Sequence, residues 1–188
     1  MMAKIKMTLF IACLLFIFTS TMDTTAKDNT LGILGQKAPS WKVTQWANLP
    51  GGQGPLDVGD YKGKVLYLYC FQSWCPGCHS HGFPVLQYLV EEYKGDSEVA
   101  FVAIQTTFEG FDSNTFDQAK KMGIKYELNI PIGQSGTEKK KSAVMKSYRT
   151  GGTPWSIIID KEGIVRFNDY FIKAEKAVEV INIFKEAD

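Results

Sequence analysis

The 188-residue sequence lacks an excess of either charge: 21 Lys and Arg stand against 20 Asp and Glu, and no long block carries one sign. Without a basic run to neutralise phosphates there is no electrostatic reason to expect nucleic acid as a partner, and that class is set aside. The apolar run Met7 to Phe18 (MTLFIACLLFIF) falls short of the about 20 residues that span a bilayer. Histidine is scarce, with two residues, and cysteine is limited to four. What remains, 45% hydrophobic and 22% charged, is the composition of one ordinary globular domain with a core of normal size.

The N-terminus stands apart from that domain. Lys4 and Lys6 precede the apolar run, and a polar stretch then leads to small residues ending at Ala26, the order of a secretory signal peptide. Residues 1–26 are therefore expected to be a signal peptide, cut after Ala26 with Thr24 and Ala26 as the small residues before the cut. An uncleaved N-terminal anchor is the alternative. Cys13 sits in a loose lipobox-like FIAC, but the apolar run continues for five residues beyond it, the wrong side for a lipidated cysteine. Residues 27–188 form the expected domain. Export would place its thiols where vicinal pairs tend to be oxidised unless something keeps them reduced.

Three of the four cysteines and both histidines fall within sixteen positions, YCFQSWCPGCHSHGFP, Tyr69 to Pro84. Three chemistries fit two cysteines spaced as Cys75 and Cys78: a disulfide that opens and closes, a metal site, or covalent haem attachment. With the signal removed, Cys70 is the odd cysteine. It lies in VLYLYCF, an unbroken apolar run of strand formers typical of a strand buried on both faces, and reads as a small buried hydrophobe.

Downstream, strands and helices alternate. A strand at Val65–Phe71 hands over to a helix from about Pro76 to Tyr93. A second strand, Val99 to Thr106, precedes a helix around Ser113 to Met122 and a short extended segment at LNIPI. A helix is expected near Glu138 to Tyr148, with Thr137 as its N-cap and TEKKK as a solvated face or docking patch. A hairpin follows, Trp155 to Asp160 and Ile164 to Phe167 around a turn at Lys161 to Gly163. A closing helix at Ala174 to Lys185 has Ala177, Val178, Ile181 and Phe184 at helical spacing. The pattern implies an α/β fold with a central mixed sheet flanked by helices. The loop FEGFDSNTF, Phe108 to Phe116, is expected to border the active site or to bury its rings.

In that architecture Cys75 falls where a buried strand meets a helix. Unpaired N–H groups and the helix dipole there stabilise a thiolate, the form that attacks disulfides. Pro76 suits the first helical position, and Gly77 adds no side chain that would screen the sulfurs. Cys78, one turn in, is expected to resolve what Cys75 attacks.

GQKAPSW (Gly35 to Trp41), YKGKVLYLYCFQSWCPGC (Tyr61 to Cys78) and GGTPWSIIIDKEGIVRF (Gly151 to Phe167) together resemble the thioredoxin-like superfamily. Within it they are similar to exported thiol-disulfide oxidoreductases of the TlpA/ResA type, related to the AhpC/TSA redoxins. The resemblance spans roughly Gly35 to the C-terminus. It implies a thioredoxin-like fold, a redox-active Cys75–Cys78 disulfide, no other cofactor and no metal. It also implies a cis Thr153–Pro154 peptide bond beside the cysteines, where the backbone of Thr153 would hold an extended client, and Trp74 covering one side of the disulfide. Further implied are a net reductant role, a membrane electron donor, apocytochrome c or another exported protein as client, and a place in the periplasm or on the extracytoplasmic membrane face.

The sequence departs from that family at the proton donor for Cys78. A buried acidic residue often found on the strand before the motif is matched by Tyr69, a poor base at neutral pH. A Glu three residues after the second cysteine is matched by His81, a candidate for proton transfer. The helix proline, normally five residues after the second cysteine, is Pro84 at six, suggesting a one-residue insertion near Gly82.

His79 completes C-x-x-C-H, the haem attachment pattern, with His79 as proximal ligand; against this, the motif follows a buried strand and no histidine lies outside the stretch. In the redox reading His79 could instead help hold the Cys75 thiolate. Two thiolates with His79 or His81 would also suit Cu(I) or Zn(II) in a binding module. However, thioredoxin-like copper chaperones use C-x-x-x-C and a distant histidine, absent here. A peroxiredoxin would need P-x-x-x-T-x-x-C, but position 72 is Gln.

Overall fold

The computed structural model describes residues 30–187 apart from residue 53, so the expected signal segment 1–26 and Cys13 lie outside the described residues. Six strands form one mixed sheet: β1 (Gln45–Ala47), β2 (Val65–Phe71), β3 (Val99–Thr106), β4 (Ile132–Ser135), β5 (Trp155–Ile159) and β6 (Val165–Asp169), in the order β1-β4-β3-β2-β5-β6. β2, β3 and β4 run parallel, while β1, β5 and β6 pair antiparallel with their neighbours. Four α-helices cover it: α1 (Phe83–Glu92), α2 (Phe116–Lys125), α3 (Ala143–Ser147) and α4 (Ala174–Glu186).

The central strand explains its own apolar run. Side chains alternate across a strand, and here both faces are covered. Val65, Tyr67, Tyr69 and Phe71 pack with Phe83, Leu86 and Leu89 of α1 and Ala177 and Ile181 of α4. Leu66, Leu68 and Cys70 pack on the other face with Trp41, Trp155, Val144 and Tyr148. GQKAPSW docks there. Trp41 is buried and donates its indole N–H to Tyr148 Oη at 3.0 Å, and Tyr148 donates to the Pro39 carbonyl at 2.8 Å.

The hairpin closes through Asp160. This buried carboxylate accepts from the backbone N–H of Glu162 (3.0 Å) and Ile164 (2.8 Å) and from Arg166 Nε (2.6 Å). One acid thereby sets the turn between β5 and β6.

Three expectations need correcting. The helix expected from Glu138 is only α3. Thr137 is not its cap; it pairs with Lys140 in a tight turn, and Ser142 caps instead, accepting from Met145 N–H at 3.1 Å. The reason is a close backbone approach: Ser142 N–H donates to the Thr107 carbonyl at 2.9 Å, and Gly136, at φ +103, lies where a Cβ would come within 2.4 Å of that carbonyl oxygen. The helix expected at Ser113 begins instead at Phe116, behind a Thr115 cap, because buried Asn114 folds back to donate to the carbonyls of Glu109 and Gly110. The extended segment expected at LNIPI starts its pairing at Ile132, and β1 had no signal, being three residues long at a sheet edge.

Candidate active site

The chain leaves β2 at Phe71, turns through Gln72–Trp74, and enters a helix at Cys75. The first intrahelical bonds end on the Cys75 carbonyl, from Cys78 N–H (3.1 Å) and His79 N–H (3.3 Å), which puts its side chain at the helix N-terminus. The Cys75 thiol donates to the carbonyl of Thr153 at 3.3 Å, and the Thr153–Pro154 bond is cis. A Cβ on Gly77 would sit 3.1 Å from the Pro154 ring and 4.0 Å from Cys75 Sγ, so the glycine lets the proline close over the sulfurs.

The two sulfurs are not equivalent. Cys75 is 8% exposed and Cys78 0%, so only the Cys75 sulfur is open to the surface. All three described cysteines are free thiols. Burial, with a smaller contribution from Cys75, pushes the Cys78 thiol up to about 12, against lowering influences from the Gln72 backbone and the nearby Tyr69. Burial likewise raises Cys70 on the far face of β2, where it serves as core.

The helix then widens. Phe83 N–H bonds to the Cys78 carbonyl, an i→i+5 step, and residues Cys78–Gly82 form a single π-turn before α1 resumes. The helix thus takes in one residue more than an α-turn holds without breaking, and Pro84 follows directly in the first turn of α1.

The π-turn also redirects the histidines. His79 Nε2 lies 2.7 Å from the Ser73 carbonyl and Nδ1 2.6 Å from Tyr126 Oη. A carbonyl only accepts, so Nε2 carries a proton, while Nδ1 pairs with the tyrosine hydroxyl. Both nitrogens are thus spent bracing the loop before Cys75 against the end of α2, with none left for a haem iron, a metal or Cys75. His81 is exposed, bonded through Nδ1 to Ser80 Oγ at 2.7 Å and edge-on to Phe171. A residue three positions on returns to the same face of an α-helix but not of a wider turn, and the partners that His81 meets are Ser80 and Phe171.

Trp74 is 45% exposed beside the cysteines, and its indole lies over Gly110, 3.1 Å from where a Cβ there would stand. The loop after β3 therefore does border the site, and Phe108 N–H ties it to Gln72 Oε1 at 3.2 Å. On the opposite side Gly151 and Gly152 make room for Tyr170, which packs on Trp155 and donates to the Gly151 carbonyl at 2.8 Å, fixing the approach to Pro154.

Sequence reasoning missed the polar frame beneath. Gln105 Oε1 accepts from Ser73 N–H (3.0 Å) and from the Ser73 hydroxyl, while its amide donates to Gln134 Oε1 (2.7 Å). Gln134 in turn donates to Thr107 Oγ1 (2.9 Å). All four are buried, which ties the active-site turn to β3 and β4. The available signal was a glutamine near the end of the largely apolar strand β3.

The AhpC/TSA family pattern matches residues 34–168. Thiol-disulfide oxidoreductase ResA of Bacillus thuringiensis subsp. konkukian (strain 97-27) is 29% identical over 133 residues, 70% of this chain and 66% of the relative, so the chain spans just under two thirds of that relative's length. Among solved structures, the thioredoxin-like superfamily protein SPOA0173 superposes with a TM-score of 0.72 at 27% identity, covering 81% of this chain and 97% of the other. A thiol-disulfide isomerase from Corynebacterium glutamicum does so at 0.68 and 23%, covering 86% and 99%, and supports the fold.

Proposed function

Because this chain belongs to the AhpC/TSA family and has the thioredoxin-like fold, we propose that it is an enzyme, a thiol-disulfide oxidoreductase acting through Cys75 and Cys78. The observation that carries this is the pairing of a slightly exposed thiol at a helix N-terminus, against Thr153 and Pro154, with a fully buried second thiol one turn behind it. The Cys75 thiolate attacks a client disulfide, forming a mixed disulfide and releasing one client sulfur as a thiolate. Cys78 then loses its proton and attacks Cys75 Sγ. The client leaves with both sulfurs reduced, and this protein keeps the two-electron oxidised Cys75–Cys78 bond.

Reduction of exported proteins is the direction we favour, with apocytochrome c as one candidate client and a membrane donor restoring the thiols, in line with the TlpA/ResA resemblance. No helix among the described residues is long and apolar enough to cross a membrane. The proposed location, the periplasm or the outer face of the membrane, rests on residues 1–26. A metal-binding module on the same cysteines is not favoured, since both ring nitrogens of His79 are engaged within the protein.

The test is a redox titration of the purified protein, following tryptophan fluorescence in thiol-disulfide buffers. A reversible two-electron transition lost in Cys75→Ser is expected. A midpoint near that of thioredoxin, about −270 mV, supports the reductant role, one near about −120 mV an oxidant role, and no transition refutes the enzyme.

A further inference from the structure

Resolution by Cys78 creates a charge in a dry place, and the chain must supply something to meet it. Tyr69 is the side chain placed to do so. It points from β2 into the same face as Cys78, is fully buried, and is held between Phe71, stacked at 5.9 Å, and Phe83, edge-on at 5.3 Å. Its hydroxyl enters the π-turn: a Cβ on Gly82 would lie 2.0 Å from Tyr69 Oη. The wider turn thus opens a slot that the phenol occupies.

That hydroxyl makes no hydrogen bond of regular geometry in the thiol form, an expensive state for a buried polar group. Cys78 is the neighbour that acts on it most after burial itself. A thiol sulfur is a weak acceptor and a thiolate a strong one, so this contact gains its full strength only when Cys78 ionises. Burial first, and then Cys78, hold the phenol well above its ordinary range, so Tyr69 keeps its own proton and serves as donor, not base. The titratable groups that act on this pair are Cys75 from the active-site turn and Cys70 and Tyr67 from β2; no carboxylate is among them. His79 is committed to Ser73 and Tyr126, and His81 is exposed.

We propose that Tyr69 donates a hydrogen bond to the Cys78 sulfur as it loses its proton and attacks Cys75, and that the π-turn at Gly82 exists to admit this hydroxyl. In that step the Cys78 proton passes to solvent, the Cys78–Cys75 bond forms, the Cys75–client bond breaks, and the client sulfur leaves as a thiolate. This rests on the oxidoreductase reading above.

The test uses the aryl disulfide dithiobis(nitrobenzoate) on the reduced purified protein. Attack by Cys75 releases one coloured thiolate, and resolution by Cys78 releases a second. In Tyr69→Phe the first phase is expected to be unchanged. The second should slow about tenfold or more at pH 7, the scale of losing a hydrogen bond to a charged group, with its pH profile moved upward. Tyr69→Phe orphans no partner in the thiol form, so it should fold as the parent does. Site-specific 3-fluorotyrosine at position 69, a stronger donor of nearly the same shape, should move the profile to lower pH. A second phase within twofold of the parent in Tyr69→Phe, or an unmoved profile in the fluorinated protein, overturns the proposal. Absence of a second release in the unmodified protein instead overturns the oxidoreductase reading, so the two failures are distinct.

Discussion

Replacing Gly82 with alanine sets two effects of known size against each other. In a helix interior, glycine to alanine ordinarily gains about 1 kcal/mol, because alanine loses less backbone entropy on folding. Here the added Cβ would fall 2.0 Å from Tyr69 Oη, 2.6 Å from its Cζ and 2.8 Å from its Cε2. The ring cannot swing aside, being packed against Phe71 and Phe83 in a fully buried site. Overpacking of this kind costs about 1–3 kcal/mol, and an immobile ring puts it at the upper end. The difference, about 2 kcal/mol of destabilisation, corresponds to a melting temperature about 4–8 °C lower for a domain of this size. Thermal unfolding of the reduced proteins by circular dichroism is the assay. Gly59→Ala is the control, because a Cβ there meets nothing within 4 Å, and it should be neutral or slightly stabilising. A Gly82→Ala protein as stable as the parent would refute the slot occupied by Tyr69.

Two further outcomes are expected. The raised Cys78 thiol makes the reduced protein's stability depend on alkaline pH: folded Cys78 titrates near 12 against an ordinary value of 9.0, so its contribution is fully present below about pH 9 and is lost as pH rises towards 12. Urea denaturation between pH 8 and 10.5 should therefore show the reduced parent losing stability more steeply than reduced Cys78→Ser, by up to about 1.4 kcal/mol per pH unit, and parallel curves would contradict it. Gln105→Leu leaves Ser73 N–H and Gln134 without their buried partner and should cost about 1–3 kcal/mol in urea denaturation. It should also slow the first thiolate release from Cys75, since Ser73 precedes the motif; an unchanged first phase would show that the glutamine frame does not position the cysteine.

The parts of this protein that sequence alone determined are those in which local chemistry and global fold demand the same thing. β2 lies at Val65–Phe71, on the one unbroken apolar run of strand formers, because burial on both faces leaves no room for alternation, and β3 lies at Val99–Thr106 as expected. α4 presents Ala177 and Ile181 to the core from their helical spacing alone. The mixed α/β sheet followed from the order of these elements. Where one long-range contact outweighs propensity, only the tertiary structure could decide. Ser142 caps α3 because Thr107, from another strand, holds its backbone, and Asn114 delays α2 by closing the loop ahead of it. The histidines show the same limit: their spacing from the cysteines suited both proton transfer and ligation, yet a change in helical repeat turned His79 towards Ser73 and Tyr126 and left His81 in solvent. Tyr69 read as a mere departure until the fold placed its hydroxyl in the opening beside Cys78. A contact between a strand and the π-turn of a helix thirteen positions later exists only once both are packed.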